Sequence, residues 1–201
     1  MSIRRSVAIF FSAKYIELLL GLVSSLILAR LLSPEEFGIY SIAASVVMIG
    51  YLFRNFGVGQ YIVQIEKLND GILRSAFTVT LVISWAIGLL LLLIAPWLGD
   101  SYENTGITTV LRLLSLNFLL LPFGAIADAV LRRNMAFDKL AIINVSAAST
   151  TLLVGVTAAL LGASYLSIAW ASNASTIVSI LLTLFFRPAG LLWLPGVSHL
   201  R

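Results

Sequence analysis

The sequence predicts an all-α integral membrane protein, a bundle of six transmembrane helices, and three observations carry that expectation. The first is composition. Of 201 residues, 60% are hydrophobic and only 11% are charged, and the mean hydropathy is +1.03. Soluble domains carry roughly 25% charged residues, and one aqueous core cannot hide this much apolar surface. The second is a succession of apolar runs near the length of about 20 residues that crosses a bilayer. The third is the placement of the basic residues, which gather at the ends of alternate runs.

The elements follow in order. The expected spans are 8–29, 37–53, 76–98, 109–129, 140–161 and 164–186. Arg4 and Arg5 precede the first run as they would in a signal peptide. The run is longer than a typical h-region, holds Lys14 and Glu17, and lacks a small-x-small cleavage site, so an uncleaved helix is expected. Between the first two spans, Ser33-Pro34-Glu35-Glu36 reads as a helix start. Ser33 can cap, Pro34 suits the first helical position and Glu36 completes a capping box. The stretch after span two mixes Ile62, Val63 and Ile65 with Glu66 and Lys67, and fits a short interfacial helix. Asn69-Asp70-Gly71 marks a turn before span three. Span four carries Arg112, Asn117 and Pro122, and the proline predicts a kink because it lacks an N–H and crowds the preceding turn. Gly162-Ala163 joins spans five and six in a tight turn. Residues 1–187 are thus expected to form one six-helix lobe, and 188–201 a cytoplasmic tail or linker.

The basic residues predict orientation. One side of the membrane receives Arg4, Arg5, Arg54, Lys67, Arg74, Arg132, Arg133, Lys139, Arg187 and Arg201; the other receives Arg30 and Arg112. The positive-inside rule puts the richer side, and both termini, in the cytoplasm.

Several chemistries are excluded. With no cysteine, there is no disulfide, thiolate metal site or thiol nucleophile. A single histidine, His199, cannot build a multi-histidine site, and the acidic residues are scattered at span ends, so no enzyme, metal or cofactor is expected. Gly57-Val58-Gly59 lacks the third glycine, the preceding strand and the Lys-Ser/Thr of a nucleotide loop. The net charge of +4 reflects membrane topology and implies no nucleic acid.

Three segments carry a family resemblance. Ala29-Arg30-Leu31-Leu32-Ser33-Pro34-Glu35-Glu36-Phe37-Gly38-Ile39-Tyr40 resembles the connection between the first two helices of polysaccharide and O-antigen flippases. Phe56-Gly57-Val58-Gly59-Gln60 with Ile62-Val63-Gln64 resembles their loop after the second helix. Leu131-Arg132-Arg133-Asn134-Met135-Ala136-Phe137 resembles their connection between helices four and five. These flippases belong to the multidrug/oligosaccharidyl-lipid/polysaccharide flippase superfamily. The resemblance implies a V-shaped transporter with two lobes around a central cavity, of which six spans match the N-terminal lobe only. The expectation is a fragment or half-transporter that translocates lipid-linked oligosaccharide for polysaccharide or lipopolysaccharide biosynthesis. Its partners would be that substrate, membrane lipids and a second lobe. A multidrug–cation antiporter lobe and a non-transporting membrane scaffold are the alternatives.

Ionisable residues inside a membrane are where substrate or ions are met. Lys14 and Glu17 lie three residues apart on one face of span one, so they either line a cavity, with Lys14 toward a diphosphate, or form a structural pair with Lys14 snorkelling. Arg54 and Arg112, at span ends, are further substrate-binding candidates whose bland reading is interfacial anchoring. Arg30 and Asp128 also sit at span ends. Asn117, Asn144 and Asn173 suit interhelical hydrogen bonds, and the small residues of 21–25 and 41–45 suit close helix packing. Trp97 and Trp193 fit interfacial belts.

Overall fold

The computed structural model describes residues 3–54, 57–66 and 68–187. Eight helices follow one another there: α1 (Ile3–Leu31), α2 (Pro34–Arg54), α3 (Val58–Gln64), α4 (Asp70–Ser101), α5 (Thr105–Leu120), α6 (Pro122–Arg133), α7 (Phe137–Leu160) and α8 (Leu166–Phe185). Five long apolar stretches, built on α1, α2, α4, α7 and α8, can cross a membrane, and α5 with α6 make a sixth, broken by a bend of 53°. The fold is an all-α membrane bundle. Its outer faces show why water does not suit it. Leu93, Leu161 and Phe185 are more than three-quarters exposed, at 77%, 87% and 79%. So many exposed large apolar side chains mark contact with lipid or protein. The tail expected at 188–201, with Trp193 and His199, lies outside the described residues.

Local chemistry sets the helix ends. Glu36 N–H donates to Ser33 Oγ at 3.2 Å while Ser33 N–H donates to Glu36 Oε2 at 2.7 Å, the reciprocal bonds of a capping box. The other oxygen of Glu36 accepts from the Ser164 hydroxyl, tying the start of α2 to the α7–α8 turn. Gly162 takes φ +82° in that turn, a value glycine adopts without strain. Asn69, expected in a turn, caps α4 instead, its side chain accepting from Ile72 N–H at 2.8 Å. The third span therefore starts at Asp70, a turn and a half before the apolar run. Pro122 separates α5 from α6 where a kink was expected. A stability prediction follows from the first cap. Ser33→Ala should cost about 1 kcal/mol, the usual value for a lost N-cap. Glu36→Ala should cost more, because Glu36 also holds Ser164. Thermal unfolding in detergent ranks the two, and the reverse order would contradict the latch.

Packing runs from edge to edge. α1 packs on α7 alone among its extensive contacts. The two are parallel, with Phe10 and Phe137 rings 5.3 Å apart and Leu28 closing on Gly155. α7 and α8 form an antiparallel hairpin, and α8 meets α5 through Asn117 Nδ2 to Ser172 Oγ and Asn173 Nδ2 to the Leu113 carbonyl, both 3.0 Å. α5 runs back along α4, where Trp85 Nε1 donates to the Leu119 carbonyl at 3.2 Å. α2 lies along α5 with Tyr51 stacked on Phe118, centroids 4.7 Å apart. A Cβ on Gly50 would stand 3.0 Å from Ile87 Cγ2 and Phe118 Cζ, so a larger residue would push those side chains aside by a few tenths of an ångström where α2, α4 and α5 meet.

The small-residue segments need correcting. Ser24 and Ala43 are buried as expected, but Gly21 has nothing near it and Ser25 and Ser45 are exposed. The Ser41 and Ser45 hydroxyls instead donate to the carbonyls of Phe37 and Ser41, both at 2.8 Å. A stripe of small residues is read from spacing, while burial depends on where a helix stands in the bundle.

Three apolar clusters stitch the helices. One joins α2, α4, α5 and α8 around Phe118, Leu111 and Val110. The second sets Ile62 of α3 against Ala76 and Phe77 of α4 and Ile126, Ala129 and Val130 of α6. The third joins Leu131, Leu140 and Ile143 with Phe10, Leu182 and Phe186. The second and third hold together the end of the bundle where α3 and the C-terminal end of α6 lie.

Candidate functional site: a polar cleft beneath α3

That end of the bundle contains a cleft of about 610 Å³. α3 supplies one wall through Val58, Gly59, Gln60, Val63 and Gln64. Arg54 from the last turn of α2, Thr80 of α4 and the face of α6 bearing Ala125, Ile126, Asp128, Ala129 and Arg132 supply the rest. A smaller cavity of about 120 Å³ shares Arg54, Ala125 and Asp128 and adds Ser179, Ile180 and Thr183 of α8. Arg54 and Asp128 therefore stand in the wall between two cavities.

The residues reach the cleft for local reasons. Asp128 and Arg132 are one helical turn apart on α6, so their side chains meet. Arg132 Nε donates to Asp128 Oδ2 at 2.7 Å and Nη2 to Oδ1 at 3.4 Å, a forked pair. Arg54, half-buried, sets its guanidinium carbon 5.8 Å from the centre of the Tyr51 ring, one turn back on α2. Such stacking orients a guanidinium. Two guanidinium groups against one carboxylate leave the lining with a single excess positive charge. Gln60 and Gln64 add amides, while the buried Thr80 donates its hydroxyl to the Ala76 carbonyl at 2.8 Å. The lining thus sets charged and neutral hydrogen-bonding groups side by side.

Arg133, next to Arg132, points the other way. Its Nη1 donates to the carbonyls of Ile62 at 2.8 Å, Val63 at 3.4 Å and Ile65, and its Nη2 to that of Glu66 at 3.1 Å. One side chain thus meets the carbonyls at the C-terminal end of α3, which have no partner within a helix. A cation there also suits the helix dipole. Ile62, fully buried on the same helix, anchors it by packing.

The sequence-based candidates divide. Lys14 Nζ meets Glu17 Oε1 at 2.8 Å on α1, with Lys14 half exposed. The offset that pairs Phe10 with Phe137 and Leu28 with Gly155 sets Glu17 at the height of Asn144 on α7. This pair stands on the peripheral helix and lines neither cavity. Arg112 is exposed on α5 and also lines neither. Arg54 alone of the four enters the cleft. Asp128 and Arg132 were legible as span-end charges, and their four-residue spacing was the available signal for a pair. Gln60, Gln64 and Thr80 had no sequence signal that set them apart.

The family model described as "Polysaccharide biosynthesis protein" matches residues 27–201. The chain belongs to this family. Every residue of the cleft lies inside the matched range, while Lys14 and Glu17 precede it. Among curated members and relatives, the Escherichia coli (strain K12) protein named "Lipopolysaccharide biosynthesis protein WzxC" is 24% identical over 128 residues, 64% of this chain and 26% of that protein. The Rhizobium meliloti (strain 1021) "Succinoglycan biosynthesis transport protein ExoT" is 32% identical over 136 residues, 68% of this chain and 28% of that protein. A Klebsiella pneumoniae "Uncharacterized membrane protein in cps region" is 22% identical over 123 residues, 61% of this chain and 25% of that protein. The matched stretch therefore spans about a quarter of the length of each relative. No solved structure matches this chain with significance.

Proposed function

We propose that this chain is the first lobe of a transporter that moves a lipid-linked oligosaccharide across the cytoplasmic membrane during polysaccharide biosynthesis. The observation that carries the reading is the polar, net-cationic cleft at one end of an otherwise apolar bundle, in a chain of this family. Burying a diphosphate or sugar hydroxyls unpaired in hydrocarbon costs several kcal/mol per polar group. A transporter must therefore give the headgroup a wet, polar path while the lipid tail stays in the bilayer. Arg54 supplies a donor fork of the kind that binds phosphate oxygens in pairs. The names of two relatives, one a transport protein and one a lipopolysaccharide biosynthesis protein, support the substrate class.

The cleft faces the cytoplasm in this reading, because Arg54, Arg74, Arg132, Arg133, Lys139 and Arg187 are at its end of the spans and the termini follow. A second lobe supplies the opposite wall, since alternating access requires two bundles moving about a shared site. The chain acts as a carrier and catalyses no bond change. The antiporter alternative would rely on Glu17 to bind the coupling ion, and Lys14 already holds that carboxylate at 2.8 Å.

The test is flipping of a fluorescent polyprenyl-diphosphate oligosaccharide by the complete gene product in sealed vesicles. Orientation is read in the same preparation. These 201 residues contain no cysteine, so once any cysteine elsewhere in the gene product is replaced, single cysteines can be placed without background. A probe at Asn69 should react from the cytoplasmic side and one at Tyr102 from the opposite side. Absence of flipping in correctly oriented vesicles points to the non-transporting scaffold, and reversed labelling removes the cytoplasmic cleft.

A further inference from the structure

We propose that α3 is the wall of the cleft that reads the glycan, with Gln60 and Gln64 selecting the first sugar attached to the lipid carrier. This rests on the transport reading and adds to it a division of labour inside the site. Gln60 and Gln64 are four residues apart on α3, so they share one helix face. Both line the cleft, both are exposed, and neither side chain has a hydrogen-bond partner among the described residues.

The chemistry separates them from Arg54. A diphosphate offers acceptors only, and a guanidinium offers donors only. A carboxamide carries two donors and one acceptor oxygen, and that oxygen gains nothing beside a phosphate. It matches a hydroxyl, which donates and accepts at once. Two carboxamides one turn apart therefore suit a polyhydroxylated or N-acetylated ring and are poorly suited to the charged group beside it. Gly59 helps, because a Cβ there would meet nothing within 4 Å and the backbone of α3 stays open to the close approach of a ring. The cleft volume of about 610 Å³ lies within the range of roughly 300–1,000 Å³ common for ligand pockets.

The wall is also held in place. Ile62 is buried against α4 and α6, and Arg133 fastens the carbonyl end of the helix from behind. A selective surface needs this support, because discrimination between hydroxyl patterns is lost when the reading groups can shift to suit any of them. Gly57, at φ +80°, stands at the N-cap of α3, a left-handed backbone that glycine takes without strain.

The experiment compares two probes on the complete gene product in nanodiscs: a polyprenyl diphosphate without sugar, and the same molecule carrying one N-acetylhexosamine. Wild type should bind the sugar-bearing probe more tightly. The double variant Gln60→Leu, Gln64→Leu should lose about tenfold in affinity for that probe, as expected for about two lost hydrogen bonds. It should bind the bare diphosphate unchanged. Both positions are exposed, and an unchanged unfolding midpoint shows that the fold survives. Gln64→Asn, which keeps the amide and shortens its reach, should fall between. Equal loss for both probes, or no loss for either, overturns the assignment. Wild type that binds both probes equally overturns it while leaving the diphosphate site standing. Wild type that binds neither removes the transport reading and this inference together.

Discussion

Arg54→Ala should lower the transport rate of the complete gene product about a hundredfold without reducing its level in the membrane. Arg54 is the one intramembrane-end cation that borders both cavities, and it is half-buried where the walls of α2, α3 and α6 converge. Its neighbour in the cleft, Arg132, forks onto Asp128. In the proposed mechanism Arg54 meets the diphosphate. Two charge-assisted hydrogen bonds lost from that contact amount to about 3 kcal/mol, or about a hundredfold. Arg54→Lys tests the chemistry more finely. Lysine keeps the charge and loses both the donor fork and the planar face that stacks on Tyr51. It should retain about a tenth of the rate, with most of the change in apparent affinity for substrate. Transport by Arg54→Ala at the wild-type rate would remove Arg54 from the mechanism and return it to interfacial anchoring.

The sequence made the helices legible and left the cleft obscure, and the physics explains both. A span is a local property, because about 20 apolar residues in a row are needed to cross hydrocarbon. The cap at Ser33 and the break at Pro122 are likewise written in a few adjacent residues. The Lys14–Glu17 pair was visible for the same reason, since three residues separate its members. The cleft depends on which helices become neighbours. Arg133 reaches Ile62 across 71 positions of sequence, and hydropathy periods carry no information about such pairing. α3, with seven residues, is too short for a period to be counted, so the segment that forms most of one wall read only as an interfacial stretch. Lys14 drew attention as an intramembrane charge, yet nothing in its own span reveals that α1 stands at the edge of the bundle and packs on α7. Within the cleft, Gln60 and Gln64 are ordinary polar residues by sequence; the fold gives them a common cavity with Arg54.

Arg133→Ala should release α3 from its seat on α4 and α6 while the bundle itself stays folded. The guanidinium serves the carbonyls of Ile62, Val63, Ile65 and Glu66 together. No other side chain among the described residues is seen to donate to them. Hydrogen bonds from a charged donor contribute about 1.5–3 kcal/mol, and several bonds from one group add less than their sum. A net loss of about 2 kcal/mol corresponds to roughly a 30-fold rise in the population of a detached α3. The remaining contacts of α3 are those of Ile62 and its neighbours in one apolar cluster, whereas α4, α6 and α8 keep their own interfaces. Opening should therefore be local. A cysteine at position 62 reports it, because Ile62 is fully buried and a thiol there reacts only when α3 lifts. Its labelling rate should rise at least tenfold in the Arg133→Ala background, with little change in the thermal midpoint of the whole protein. Arg133→Lys should rescue poorly, since a single ammonium cannot span four carbonyls that a planar fork reaches from two nitrogens. Transport should respond differently from Arg54→Ala: discrimination between sugar-bearing substrates should weaken more than the rate for a preferred one. Unchanged labelling at position 62 would show that the apolar contacts of α3, Val58 among them, hold it without Arg133, and Arg133 would then be only one more basic residue at the end of a span.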